Sequence, residues 1–227
     1  MLTQIYFFSF GTILGSFICL CADRTVCHQS IIRPRSHCST CHHVLSVTEL
    51  FPIVSYCFLN GRCRHCHQRF EPTSCLTELL LGVLFLTVSG NQAPSWSLLT
   101  DLFCMTLLVY LSLCDLNRLW VNGYLIAILA LVAVMTNNTL MNWGIFVGTL
   151  ISLFTPLQFS QFYAGFGEAD YDLLLIFIIL CGLEATTLIV CLASLICLLF
   201  TLIFHIPPKQ KIPFIPYLTF AYLYVVI

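Results

Sequence analysis

Two kinds of residue in this chain are spaced for chemistry. The first is cysteine in pairs. Cys38-Ser39-Thr40-Cys41 and Cys63-Arg64-His65-Cys66 stand twenty-one residues apart. Two residues between cysteines let both thiolates face one ion from a tight turn, and a second pair closes the tetrahedron. The spacing predicts a structural zinc site with Cys38, Cys41, Cys63 and Cys66 as ligands. Four thiolates leave no open coordination position, so such a zinc orders the segment and does no chemistry. His37, His42, His43, His65 and His67 crowd the pairs. They read as solvated loop residues, with replacement of one thiolate as the alternative. Cys21, Cys27, Cys57 and Cys75 lack a partner at this spacing.

The second kind is the carboxylate at the edge of an apolar run, where an ionisable group is costly and by default functional. Glu78, Asp115, Glu168, Asp170 and Asp172 fall there. Two carboxylates that approach closely cannot both ionise easily, so they share a proton. One then activates water while the other donates. Asp115 and Asp170 are the candidate pair. Read singly, Asp115 is equally an interfacial residue beside Arg118, and Asp170 an N-cap. Glu78 is either a partner for a loop arginine or a group that places substrate or a methyl donor.

The elements that must position these residues are membrane helices. The chain has 227 residues, 59% apolar and 8% charged, with net charge −1. A soluble domain carries about 25% charged residues. This composition excludes an ordinary soluble domain, a disordered chain and a basic nucleic-acid binder. Runs of about 20 apolar residues are needed to span a bilayer core. Eight candidates appear: Leu2–Ala22, Cys75–Ser89, Ser97–Cys114, Val121–Met135, Met141–Leu157, Tyr171–Leu183, Thr187–Ile206 and Ile212–Ile227. The first lacks a basic stretch before it and a small-residue cleavage site after it, so it reads as a retained helix.

All nine Lys and Arg residues lie in three of the intervening segments: Arg24 to Arg69, Arg118, and Lys209 with Lys211. Eight spans put every one on the same side. By the positive-inside rule that side is the cytoplasm and the N-terminus is outside. The expected fold is all-α and polytopic, with about eight transmembrane helices and a small zinc-ribbon-like cytoplasmic loop. The expected division is a first helix (1–22), a zinc-binding loop (23–74) and a block of membrane helices (75–227).

The motifs, taken in order, resemble those of type IV prepilin peptidases, a GxGD-type intramembrane aspartic protease family. Asp170 sits in Gly165-Phe166-Gly167-Glu168-Ala169-Asp170-Tyr171-Asp172-Leu173-Leu174, close to the family's GMGxGDxKLL. Gly15-Ser16-Phe17 matches its early GSF, and the segments from His37 to Leu45, Phe51 to Tyr56 and Gly61 to Cys66 follow its cytoplasmic zinc loop. Glu78-Leu79-Leu80, Asp115-Leu116-Asn117 and Ile212-Pro213-Phe214-Ile215-Pro216 follow in register. Ala169 stands where the family has glycine, and Asp172 where it often has lysine.

The resemblance implies an endopeptidase that removes the short basic leader of prepilins or pseudopilins at the cytoplasmic membrane face, with Asp115 and Asp170 catalytic. It also implies, in many members, methylation of the new N-terminus with S-adenosylmethionine. The small members of Gram-positive DNA-uptake machines are the most similar in size. The alternative is a catalytically silent scaffold that docks a pilus or DNA-uptake apparatus through its zinc loop. Its support is Ala169 and Asp172.

Overall fold

The computed structural model describes residues 2–33, 35–38, 40–41, 43–46, 49, 53–59, 61–70, 72–91, 95–119, 121–136, 140–154, 167–207 and 210–227. Gly165 and Phe166, which open the aspartate motif, lie outside these residues. So do His42, Phe51, Pro52, Lys209 and the end of the fifth expected span beyond Phe154. The described residues form eight helices: α1 Leu2–Val26, α2 Val54–Phe58, α3 Thr73–Asn91, α4 Trp96–Arg118, α5 Gly123–Thr136, α6 Leu140–Phe154, α7 Glu168–Ile203 and α8 Ile215–Val226. No strand forms among them; two isolated antiparallel bridges do. The chain divides into two compact units, residues 1–98 and 99–227.

In the first unit α1 and α3 pack along their length. The reason is small residues. A Cβ on Gly11 would lie 2.6 Å from the Leu81 carbonyl oxygen, and one on Gly15 would lie 2.7 Å from Glu78 Cα. Gly82 on α3 receives the Thr12 methyl and the Phe8 ring in the same way. In a bilayer, helix association depends on such backbone approach, because burying apolar surface from lipid gains nothing. Gly11 and Gly15 are four apart and share a face. The opposite face of α1 shows Tyr6, Phe10, Ile13 and Phe17, each more than half exposed. An exposed apolar stripe of that kind needs an apolar solvent.

In the second unit α4 and α8 run antiparallel, joined by polar contacts at matching heights. Ile215 N donates to Asp115 Oδ2 at 3.2 Å, and one turn higher Ser112 Oγ donates to Thr219 Oγ1 at 2.7 Å. α7 has 36 residues, which would measure about 54 Å if straight, against a bilayer core of about 30 Å. It is broken at Gly182, with φ 81° and ψ 170°. Straight, Phe177 and Phe200 would stand about 35 Å apart. Yet Phe177 stacks on Tyr222 at 4.9 Å and Phe200 lies 5.9 Å from Tyr217, both on the twelve-residue α8. The break therefore folds one limb of α7 back toward the other. This corrects the sequence expectation in one detail. The sixth and seventh spans are separated by a single glycine, not by a loop at 184–186.

The fold is all-helical and built for a membrane. By length and composition Leu2–Val26, Thr73–Gly90, Trp96–Arg118 and Ala169–Ile203 can cross one, while α5 and α8 are apolar but shorter.

Candidate active site and metal centre

The loop between α1 and α3 is ordered by two turns. His37 bridges Val44, with Cys38 N bonded to His43 O at 2.9 Å and Leu45 N to Ser36 O at 2.9 Å. Arg62 bridges Arg69, with Cys63 N bonded to Gln68 O at 2.9 Å and Phe70 N to Gly61 O at 2.8 Å. Each turn presents one cysteine pair. The four sulfurs of Cys38, Cys41, Cys63 and Cys66 lie within 4.8 Å of one another. Cys38 Sγ is 3.7 Å from Cys66 Sγ, and Cys41 Sγ is 3.9 Å from Cys63 Sγ. A tetrahedral zinc with Zn–S bonds of about 2.3 Å sets its sulfurs about 3.8 Å apart. The donor set therefore fits a metal ion of that size and softness.

The thiols are already unlike. The backbone amides of Cys41 and Thr40 pull the Cys38 thiol down to about 6. The Gln68 amide pulls on Cys66 as well, but burial and the neighbouring sulfurs of Cys63, Cys41 and Cys38 hold it up at about 11. A cation among the sulfurs would remove that repulsion. The histidines do other things. The rings of His43 and His65, one from each turn, meet at a tilt with centroids 3.6 Å apart, and His37 bonds the Arg35 carbonyl. Among the described residues the metal-capable group is the four cysteines.

Glu78 is buried on α3 and has no loop arginine for a partner. It accepts Ile53 N at 2.7 Å and Ser74 Oγ at 3.1 Å. Ile53 has φ 57°, a strained conformation for a β-branched residue. A buried carboxylate thus ties the loop to the membrane helix. At the end of α1, Arg24 is buried and donates to the carbonyls of Ser30 and Ile31.

In the second unit, Asp115 ends α4 and Asp170 begins α7. Both are buried, as is Asp172. Asp115 receives the Ile215 amide at the N-terminus of α8, where free N–H groups favour a carboxylate. Asp170 folds back on its own helix start. Its amide donates to Gly167 O at 3.1 Å, and Gly167 N donates to Asp170 Oδ2 at 3.1 Å. A Cβ on Gly167 would sit 3.2 Å from that oxygen, so glycine gives the carboxylate its room. Asp170 is an N-terminal capping residue.

Sequence reasoning missed Gly11, Gly182, Ser112 and Thr219. Gly11 was legible as the partner of Gly15 four residues on. Ser112, three residues before Asp115, shares its helix face. Gly182 carried no local signal beyond being a glycine in an apolar run.

The fold and these groups define a class: a helical membrane protein with a four-cysteine centre in one unit and buried aspartates at helix ends in the other. Comparison with known proteins narrows it. Residues 9–91 match the bacterial peptidase A24 N-terminal domain. The chain is 29% identical to the prepilin leader peptidase/N-methyltransferase of Bacillus subtilis (strain 168), over 96% of this chain and 92% of that one. It is 28% identical to the protein of the same name in Aeromonas salmonicida (strain A449), over 85% of this chain and 70% of that one. The like-named protein of Myxococcus xanthus (strain DK1622) is 36% identical over 53% of this chain, a match that spans 36% of its own length. No solved structure matches. The chain is thus similar to prepilin leader peptidase/N-methyltransferases over almost its whole length, and this likeness supports an enzyme of the prepilin peptidase type.

Proposed function

We propose that this chain is an aspartic endopeptidase that cleaves the leader of prepilins or pseudopilins at the cytoplasmic membrane face. The observation that carries the reading is the pair Asp115 and Asp170. They come from different helices, are both buried and are each held by a backbone amide. The names of the relatives supply the substrate class.

The pair shares one proton. A water between the carboxyl groups attacks the scissile carbonyl carbon, its proton passes to the ionised carboxylate, and the protonated partner supplies a proton to the carbonyl oxygen. When the tetrahedral intermediate collapses, the C–N bond breaks and the departing nitrogen takes a proton from the pair. The Ile215 and Gly167 amides keep the two carboxyl groups in position throughout.

The side of the membrane follows from charge. Arg118 and Lys211 flank the ends of α4 and α8 that meet at Asp115, Lys209 also precedes α8, and the remaining basic residues lie at the end of α1 or in the loop after it. This supports a cytoplasmic placement with the N-terminus outside. Cys38, Cys41, Cys63 and Cys66 would hold a structural zinc, which supplies folding energy to the segment 23–74. N-methylation of the product with S-adenosylmethionine is the second activity that the relatives' names carry. The block 75–227 holds the peptidase residues.

The test is co-expression with a pilin-like substrate in a host lacking its own peptidase, with the mature N-terminus read by mass spectrometry. Cleavage by the wild type, and its loss in Asp115→Asn and in Asp170→Asn, is the expected result. Cleavage that survives Asp115→Asn sinks the dyad. A product heavier by one methylene establishes methylation. No cleavage of a cognate pilin leaves the scaffold reading standing.

A further inference from the structure

The second cysteine turn and α2 enclose a cleft of about 760 Å³ that the peptidase reading does not use. Its walls include Arg62, Arg64 and Arg69, and the rings of Tyr56, Phe58 and Phe70. Arg62 and Arg69 face each other across the antiparallel bridge. Side chains directly opposite on such a pair lie about 5 Å apart, and like charges there destabilise it. The turn nonetheless holds them so. Gly61 makes the geometry possible. It has φ +64°, and a Cβ on it would strike the Tyr56 ring at 2.7 Å. No carboxylate lines the cleft among the described residues. Glu49 feels the charge of Arg64 but spends its carboxylate on Ser46 N and Ser46 Oγ, both at 2.7 Å.

Arg62 and Arg69, opposite each other on the bridge, and Arg64 beside them give the cleft a cationic wall, with no carboxylate among its described lining residues. The planar guanidinium forks suit the oxygens of a phosphate. The position in the chain says which phosphate is at hand. Phe70 lies three residues before Thr73, where the membrane-crossing α3 begins. Three residues of extended chain reach about 10 Å at most, so Phe70 stays within about 10 Å of the end of a membrane-crossing helix, where headgroups are at hand. Phe58, 83% exposed beside the arginines, adds an aromatic ring of the kind that settles at that layer. The leader of a prepilin, being basic, would be repelled here. So would the sulfonium of a methyl donor.

We infer that the cleft bounded by Arg62, Arg64 and Arg69 binds the phosphate of an anionic phospholipid headgroup and so seats the four-cysteine loop on the membrane. The inference rests on the loop's attachment to membrane helices. It is independent of peptidase activity, so the two readings fail separately.

The test is native mass spectrometry of the full chain in neutral detergent, titrated with phosphatidylglycerol or with phosphatidylcholine. The wild type is expected to retain phosphatidylglycerol at least about tenfold better, the order expected when several arginines meet an anionic lipid surface. R62Q/R69Q should lose that preference. R62K/R69K, which keeps the charges, should keep most of it, as should R33Q/R35Q, which neutralises two arginines of the same loop outside the cleft. Equal binding of the two lipids by the wild type overturns the inference. So does an unchanged preference in R62Q/R69Q, or a loss in R62K/R69K as complete as in R62Q/R69Q. Inorganic phosphate or glycerol 3-phosphate that displaces the lipid mole for mole would overturn the lipid as the source of the phosphate.

Discussion

Asp115 and Asp170 are held in different ways, and the difference suggests how to test each. Asparagine at either position keeps the shape and the accepted amide bond but removes the titrating group. Cleavage should fall by about 10²–10⁴-fold, the usual worth of a positioned acid or base, while expression is unchanged; the rate of mature N-terminus formation measures it. Gly167→Ala tests the room around Asp170. Its new methyl meets Oδ2 at 3.2 Å, so the carboxylate must shift by a few tenths of an ångström. Cleavage should drop and thermal stability in detergent should change little. Glu78→Ala should show the reverse pattern. It strands the Ile53 amide and the Ser74 hydroxyl, an unsatisfied buried bond worth about 1–3 kcal/mol. The predicted consequence is faster proteolytic nicking of the loop between α1 and α3. At this scale the sequence was informative wherever chemistry demands a residue type: the cysteine spacing and the edge aspartates were legible. The Ile53–Glu78 bond was not, because a backbone amide has no signature in the sequence.

At the scale of elements, helix existence was legible from apolar run length, and each of the eight expected spans falls on a helix or a limb of one. What run length could not show was how the helices end and meet. Gly182 lies in a region of φ and ψ that is open to glycine and closed to other residues, at about 1–3 kcal/mol for any side chain. Nothing stands within 4 Å of where a Cβ would be, so the objection to a side chain is conformational and not steric. Gly182→Ala should therefore lower the melting temperature, with the loss restored by no compensating cavity. The α4–α8 alignment was also hidden. Ser112 and Thr219 are 107 residues apart in the chain, and only folding makes them neighbours at the height that sets Ile215 N against Asp115.

For the whole molecule, two units each carry their own order. In the first, the cysteine cluster is the device that substitutes for a core in a polar loop too short to have one. Metal removal by a strong chelator, or Cys63→Ser, should unfold the loop and leave α1 against α3, since glycine packing holds that pair without the loop. Protease sensitivity confined to 27–72, with one zinc per chain lost by elemental analysis, is the outcome expected. In the second, Asp115 and Asp170 depend on three helix termini, those of α4, α7 and α8.

The sequence by itself determined the membrane class, the loop, the four thiols, the edge carboxylates and the family resemblance, because composition, run length and ligand spacing are local properties. The tertiary structure alone decided that Asp115 lies at the N-terminus of α8, that α7 turns back at Gly182, and that Arg62 faces Arg69. Each of these depends on backbone groups and on residues distant in the chain. Their interaction energies exist only once the helices and turns have packed.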